Sequence, residues 1–441
     1  MNKHQWVTGE ILKRIDKNMY PERLPSVRSL MEDFKVSQIT ITKALEQLID
    51  TNRIYAKPNV GYFIISRKQT SDVFNGVYDF STASTSWTDF PLDNYAQCLE
   101  TAVKNEKTEL FTYGRTTGNK ELKLWFQKLL SDDQIFTKTE QIMITSGTQQ
   151  ALHIISLMLM TQNNKILIEQ PTYHQMINLV ERLPLKYVTY HRGFNQIQLN
   201  EFEASVAEHR PDFVYLMPRL HNPLGTTMSD AERRTILALA ESFDFHIIED
   251  DYLGDFEGNN RYQTLYEMDT NQRVIYLKSF SKIMFPGQRL GIAVLPEHLI
   301  DTFQRFKEIV DIHTNSLSQV IMQTFIESGL YAHHKDKIVL RHRQKANILR
   351  RALCTHLSGY AFNDNHQMHT VIKLPKHINM NRLHDALIKR HILVDDYKRN
   401  YLPDYVHNYK FLKLNTTSIP ENKIQEGVQL IQDALNVSKQ L

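Results

Sequence analysis

The strongest constraint on this chain is an alternation in its middle. Six short apolar runs, QIMIT, KILIE, FVYLM, FHIIED, VIYLKSF and GIAVL, recur between residues 141 and 295. Helical patterns lie between most of them, including residues 149–160 and 230–243. Runs this short and this apolar read as strands buried on both faces. Strands alternating with helices give a mostly parallel sheet with helices on either side. In such sheets the ligand lies beyond the carboxyl ends of the strands.

The residues at those ends have a chemical logic. QIMIT is followed by Ser146-Gly147-Thr148-Gln149-Gln150, which opens a helix. A small-residue turn there offers free N–H groups and a positive dipole end to a phosphate. FHIIED ends at Asp250 and leads into Asp251 and Tyr252. VIYL is followed by Ser279-Phe280-Ser281-Lys282, then Pro286 and Arg289. A lysine amine forms a Schiff base with pyridoxal 5′-phosphate (PLP). A carboxylate upstream keeps the pyridine nitrogen protonated, making the ring an electron sink. Arg289 suits phosphate.

The 441 residues suggest about three domain-sized units at ~150 residues each. With 41% hydrophobic and 23% charged residues, the chain is not collagen-like, disordered or a disulfide scaffold. Its two cysteines, Cys98 and Cys354, sit in no CxxC motif, so a reducing compartment and no metal site are expected. The N-terminus has no apolar signal core. The run from Ile154 to Met160 is too short to span a bilayer. A cytoplasmic protein without membrane contact is expected.

Net charge is only +3, but it is uneven. Residues 1–70 hold twelve Lys/Arg against seven Asp/Glu, and the remainder is slightly acidic. A basic head suits phosphate. In that head Ser26 precedes Val27, Leu30, Met31 and Phe34, an apolar face at helical spacing. After a short turn at Lys35-Val36, Ser37 is placed to cap a second helix. Its buried face is Ile41, Ala44, Leu45, Leu48 and Ile49. RIYAK, PNVG and YFIIS then read as a hairpin with Gly61 near the turn, and an earlier helix spans about Gln5 to Lys17. Two short helices around so tight a turn fit a helix-turn-helix. The second helix enters the major groove of double-stranded DNA with its N-terminus leading. Ser37, Gln38, Thr40, Thr42 and Lys43, with Gly61 of the hairpin, would face bases or phosphates, and Arg28 the backbone or a guanine edge.

The segment LPSVRSLMEDFKVSQITITKALEQLIDTNRIYAKPNVGYFI resembles the GntR-type winged helix without a gap over about forty residues. One departure is Asn59, where the family's wing often has a first glycine before Gly61. From about residue 80 the chain resembles fold-type I aminotransferases. The segments are FTYGRTTGNKELKLWFQKLL, QIMITSGTQQALHI, EQPTYH, HNPLGTTMS, HIIEDDYLGDF and SFSKIMFPGQRLG. Head and body together resemble the MocR/GabR group of GntR regulators. The implied organisation is a winged helix at 1–68, a linker at 69–90, a large PLP-binding domain at 91–300 and a smaller C-terminal α+β domain at 301–441.

The resemblance also implies roles. Lys282 is the Schiff-base lysine and Asp250 the acid facing the pyridine nitrogen, with Asp251 as the alternative acid. Tyr252 and Asn222 meet the ring's phenolic oxygen. Gly147, Thr148 and Gln149 cradle the phosphate, with Ser279 and Arg289 as side-chain partners. Tyr173 lies near the ring, and Tyr113 reaches a partner subunit's site, which implies a homodimer. The pattern breaks at Lys413, where the substrate-carboxylate arginine is expected; a point charge replaces a planar fork. The implied function is a PLP-binding transcriptional regulator that senses a small amine, amino acid or B6 vitamer, with little or no turnover. The alternative is a working aminotransferase with an appended DNA-binding head.

Overall fold

A computed structural model of the chain describes residues 3–17, 19–20, 22–51, 53–57, 60–64, 74, 76–83, 85–257, 262–363, 368–406 and 409–439, with backbone alone at 16 and 439. The chain divides into two compact units, Met1–Val73 and Phe74–Leu441.

The first unit contains α1 (Lys3–Asp16), α2 (Val27–Phe34), α3 (Gln38–Asp50), β1 (Ile54–Lys57) and β2 (Gly61–Ile64). The Ser26 hydroxyl accepts from the Ser29 N–H and caps α2. Lys35, in the left-handed region at φ 51°, ends α2 and starts the turn into α3. Ser37 holds the N-cap position of α3. Its hydroxyl meets the Thr40 hydroxyl at 3.0 Å rather than a backbone N–H, so the expected side-chain cap is not made. Val7, Ile11, Leu30, Phe34, Ile41 and Leu45 share one core with the hairpin's Ile54 and Ile64. Ile49, expected on that face, is half-buried at its edge. Asn59 lies outside the described residues.

The second unit is built on a seven-stranded sheet among the described residues. Its strands are β4 (Ile142–Thr145), β5 (Lys165–Gln170), β6 (Lys186–His191), β7 (Phe213–Leu216), β8 (His246–Asp251), β9 (Val274–Ser279) and β10 (Gly291–Val294), after β3 (Tyr78–Asp79). The order is β4-β10-β9-β8-β7-β5-β6. β10 runs antiparallel to both neighbours and the other pairs are parallel. β6, KYVTYH, is an edge strand that its polar residues hid from the apolar-run reading.

Side chains alternate across the sheet. Met143, Ile168, Tyr215, Ile248, Leu277 and Ala293 enter one core. Their neighbours Ile144, Tyr276 and Ile292, and Leu167, Val214 and Ile247, enter cores on the other face. Both faces are covered, which is why the strand sequences are apolar at successive positions.

The C-terminal part pairs β11 (His369–Leu374) with β13 (Lys410–Asn415) antiparallel, under helices Leu330–His356, Met380–Ile388 and Glu421–Lys439. β12 (Ile392–Leu393) pairs with β3 in parallel. That pairing corrects the linker expected at 69–90. Tyr78, Phe80 and Phe90 are buried, Tyr78 and Phe80 among the C-terminal helices, because their aromatic rings complete those cores. The junction therefore ends before Tyr78; residues 69–73 and 75 lie outside the described set. No helix among the described residues is long and apolar enough to cross a membrane.

Candidate functional site

On α3 the apolar face is buried and the N-terminal residues are presented outward. Gln38 and Lys43 are exposed, and Thr40 and Thr42 are half-buried. Ile39, at the N-terminal end of the same helix, is 70% exposed. Arg28 is exposed, with a 3.5 Å contact to Glu32. Gly61 opens β2 at φ 128°, where a side chain would press on the Arg23 guanidinium.

In the second unit a cavity of about 270 Å³ opens at the carboxyl ends of the sheet strands. One end is the turn after β4. Gly147 caps helix Thr148–Gln162 at φ 86°, a left-handed-side conformation that favours glycine. The backbone of Gly147 passes so close to β10 that a Cβ on Gly291 would lie 2.9 Å from its Cα. Arg289 donates to the Ser146 carbonyl at 2.7 Å, which brings its guanidinium over the turn. Ser279 and Thr148 also line this end. Free helix N–H groups, a guanidinium and hydroxyls together form an anion cradle.

The middle of the cavity holds Lys282, Asp250, Tyr173, Tyr252 and Asn222. Lys282 follows β9, and its amine donates to the Ala83 carbonyl. Burial lowers its pKa from 10.5 to about 8, so much more of it is a neutral nucleophile than for an exposed lysine. One oxygen of Asp250 accepts from the Tyr215 hydroxyl at 2.7 Å. Its other oxygen, Oδ1, is buried and has no hydrogen-bond partner among the described residues. Burial, reinforced by the Asp251 charge, raises the Asp250 pKa to about 7. An orphaned oxygen on a carboxylate that lines a cavity calls for a cationic N–H from a ligand. Asp251 is turned away, held by Arg219 and the Tyr276 hydroxyl. Of the two acids, Asp250 is the one that lines the cavity.

The far end comes from the C-terminal part. Lys413 of β13 donates to Asn222 Oδ1 at 2.6 Å. Asn222 therefore keeps its NH₂ as the group free to donate. The Tyr252 hydroxyl donates to the Leu220 carbonyl at 3.1 Å. Tyr113 is not in this cavity. It is 85% exposed and meets His313 edge to face.

The structure thus gathers Gly147, Thr148, Gln149, Tyr173, Asn222, Asp250, Tyr252, Ser279, Lys282, Arg289 and Lys413 around one space and leaves Tyr113 outside it. It adds residues that the sequence reading missed: His174, His369, Asp395, Arg399, Ser81 and Ala83. His174 ends the EQPTYH segment and was within reach of the motif. Asp395 follows β12 and Arg399 sits in the short 3-10 turn Tyr397–Asn400, a stretch that carries no motif, and Ser81 and Ala83 fall in the expected linker.

A mostly parallel sheet with a lysine after β9, an acid ending β8 and an anion-binding turn after β4 defines the fold-type I aminotransferase body. The chain belongs to the aminotransferase class I and II family, whose model matches residues 84–431, and the bacterial regulatory proteins of the gntR family match residues 7–64. The cofactor implied by this family is PLP. The combination is that of a MocR-type DNA-binding regulator. The chain is 36% identical to the uncharacterized HTH-type transcriptional regulator YcxD of Bacillus subtilis, over 99% of this chain and 100% of that one. It is 26% identical to aromatic-amino-acid aminotransferase 1 of Thermococcus litoralis, over 83% of this chain and 89% of that one. Among solved structures, Pyrococcus horikoshii kynurenine aminotransferase aligns with a TM-score of 0.76 at 24% identity, covering 83% and 93% of the two chains. At that identity it speaks for the fold alone.

Proposed function

We propose that this protein is a PLP-loaded transcriptional regulator whose body senses a small amine, amino acid or B6 vitamer and whose head binds double-stranded DNA. The observation that carries the reading is the Lys282–Asp250–Arg289 arrangement in one cavity, in a chain that also has a GntR head. The residues fit the cofactor. Gly147, Thr148, Gln149, Ser279 and Arg289 would hold its phosphate, and Asp250 would meet the ring nitrogen through its unpartnered oxygen. Asn222 and Tyr252 would meet the ring hydroxyl, Tyr173 would lie beside the ring, and Lys282 would attach it covalently. When bound, PLP supplies an aldehyde that condenses with amines and a ring that withdraws electrons.

The chain's own residues then do three things. Lys282 gives up its hydrogen bond to Ala83 when its amine is engaged elsewhere. Asp250 holds a negative charge that the empty cavity disfavours. Lys413 fixes the orientation of the Asn222 amide. Ala83 follows β3 closely, so occupancy of Lys282 bears on the first body segment after the junction to the head. A ligand acts by preferring one of two arrangements of that segment, and the preference sets how far DNA affinity moves. The active form is a homodimer, with Tyr113 of one protomer reaching its partner's cavity. The protein resides in the cytoplasm.

The test is a visible absorption spectrum after PLP addition, with Lys282→Ala alongside, followed by operator-retention assays with and without residues 1–70. A lysine-dependent band and head-dependent retention support the reading. Turnover with amino donors and keto acids at ordinary aminotransferase rates would instead make the protein an enzyme with a DNA-binding head.

A further inference from the structure

We propose that Asp395 makes the cavity select an amine with no carboxylate on its amino-bearing carbon. The inference rests on the PLP reading above and concerns the far end of the same cavity. Two cations stand there, Lys413 and Arg399, where an amino acid's carboxylate would be expected to dock. Both already face a carboxylate that belongs to the chain. Arg399 Nη2 donates to Asp395 Oδ2 at 2.6 Å, and Lys413 Nζ lies 3.9 Å from the same oxygen.

Burial decides what this means. The Asp395 side chain is 8% exposed and that of Lys413 is 11%, whereas that of Arg399 is 45% exposed. Asp395 is hydrogen-bonded to the water-screened Arg399 and also stands against the buried Lys413, so the chain's own carboxylate already fills the place between the two cations. A ligand carboxylate entering beside Lys413 would add a second buried anion or expel Asp395 from its pair. Either costs far more than a surface contact, since an unpaired buried charge is strongly unfavourable. Burial lowers Lys413 itself to about 8, Lys282 beside it is the amine taken up by PLP, and the remaining titratable groups His174 and His369 give no compensation. Burial lowers His174 to about 4 and holds His369 well below its ordinary range, so both are neutral at pH 7. Lysine at position 413 adds to the effect. It lacks the planar fork that grips a carboxylate through two bonds, and one of its N–H groups is committed to Asn222. An amine without the carboxylate leaves the Asp395 pairs intact.

The test compares a matched pair, butylamine and norvaline, which differ by that one carboxylate. Full-length PLP-loaded protein is titrated with each and followed by the visible band and, independently, by calorimetry. Each midpoint is divided by that of the same compound with free PLP. The wild type is expected to prefer butylamine at least tenfold. Asp395→Asn is expected to shrink that preference at least tenfold, or ~1.4 kcal/mol, and Asp395→Glu to retain it. Equal or tighter response to norvaline in the wild type overturns the proposal, as does an unchanged ratio in Asp395→Asn. The wild-type ratio decides alone if the Asn variant does not fold. Absence of any Lys282-dependent band before amine is added refutes the PLP reading instead, and is seen separately.

Discussion

Asp250 should weaken the cofactor-free protein in order to serve it, and the size of the effect follows from its surroundings. The carboxyl group is buried, one oxygen has no partner, and its pKa rises from 3.8 to about 7. A carboxyl whose folded pKa is raised costs nothing below its unfolded value. The cost grows as pH climbs from about 4 to about 7 and is constant above that. The full displacement corresponds to ~4 kcal/mol at pH 8 and about half of that at pH 5.5. Asp250→Asn removes the charge and retains an oxygen for the Tyr215 hydroxyl. The cofactor-free variant is therefore expected to be more stable than the wild type in urea at pH 8, by a few kcal/mol, with the gain shrinking toward pH 5.5. Its PLP affinity is expected to fall at least tenfold, because the ring nitrogen loses its counter-charge. A gain that is equal at both pH values would refute the argument, as would destabilisation at pH 8. Tight PLP binding by the variant would show that Asp250 does not face the ring.

Three further outcomes test other parts of the reading. PLP loading should accelerate with pH and level off above about 8, because burial lowers the Lys282 amine to that value; a rate still rising steeply at pH 10 would mean an ordinary lysine. Gly291→Ala should loosen PLP by several-fold while the protein still folds, because the new methyl pushes on the Gly147 turn; unchanged affinity would mean that the turn yields freely. Arg28→Ala should lower the salt slope of DNA binding by about 0.9, the loss of one phosphate contact; an unchanged slope would remove Arg28 from the backbone.

Much of this architecture was legible in the sequence, for physical reasons. The buried strands of the sheet are apolar at successive positions because both faces are covered, so QIMIT and VIYLKSF announced themselves. β6 did not, because an edge strand such as KYVTYH needs only one covered side and carries lysine and threonine like any loop. Helix starts were legible at both Ser26 and Ser37, although only Ser26 caps its helix through the side chain while the Ser37 hydroxyl bonds to another hydroxyl. The linker was overextended because its composition is that of a junction; among its five aromatic residues Tyr78, Phe80 and Phe90 are buried, but Trp87 is exposed.

The site divides in the same way. The cradle and the Lys282–Asp250 pair sit at strand ends, and a strand end can be read from spacing alone. The far end is assembled from residues that are distant in sequence, where no spacing rule applies. Lys413 drew attention as a departure from a motif, and it suggested only a weakened carboxylate clamp. Its meaning depended on Asp395, eighteen residues earlier on another element, and on Arg399, which shares Asp395 with it. A point charge that replaces an arginine reads as a loss when it stands alone. Beside a buried carboxylate of the chain's own, which Arg399 also holds, it stands where the place of a ligand carboxylate is already taken. The cavity can then distinguish ligands by a charge that they lack, which makes the far end a place where specificity is set by exclusion.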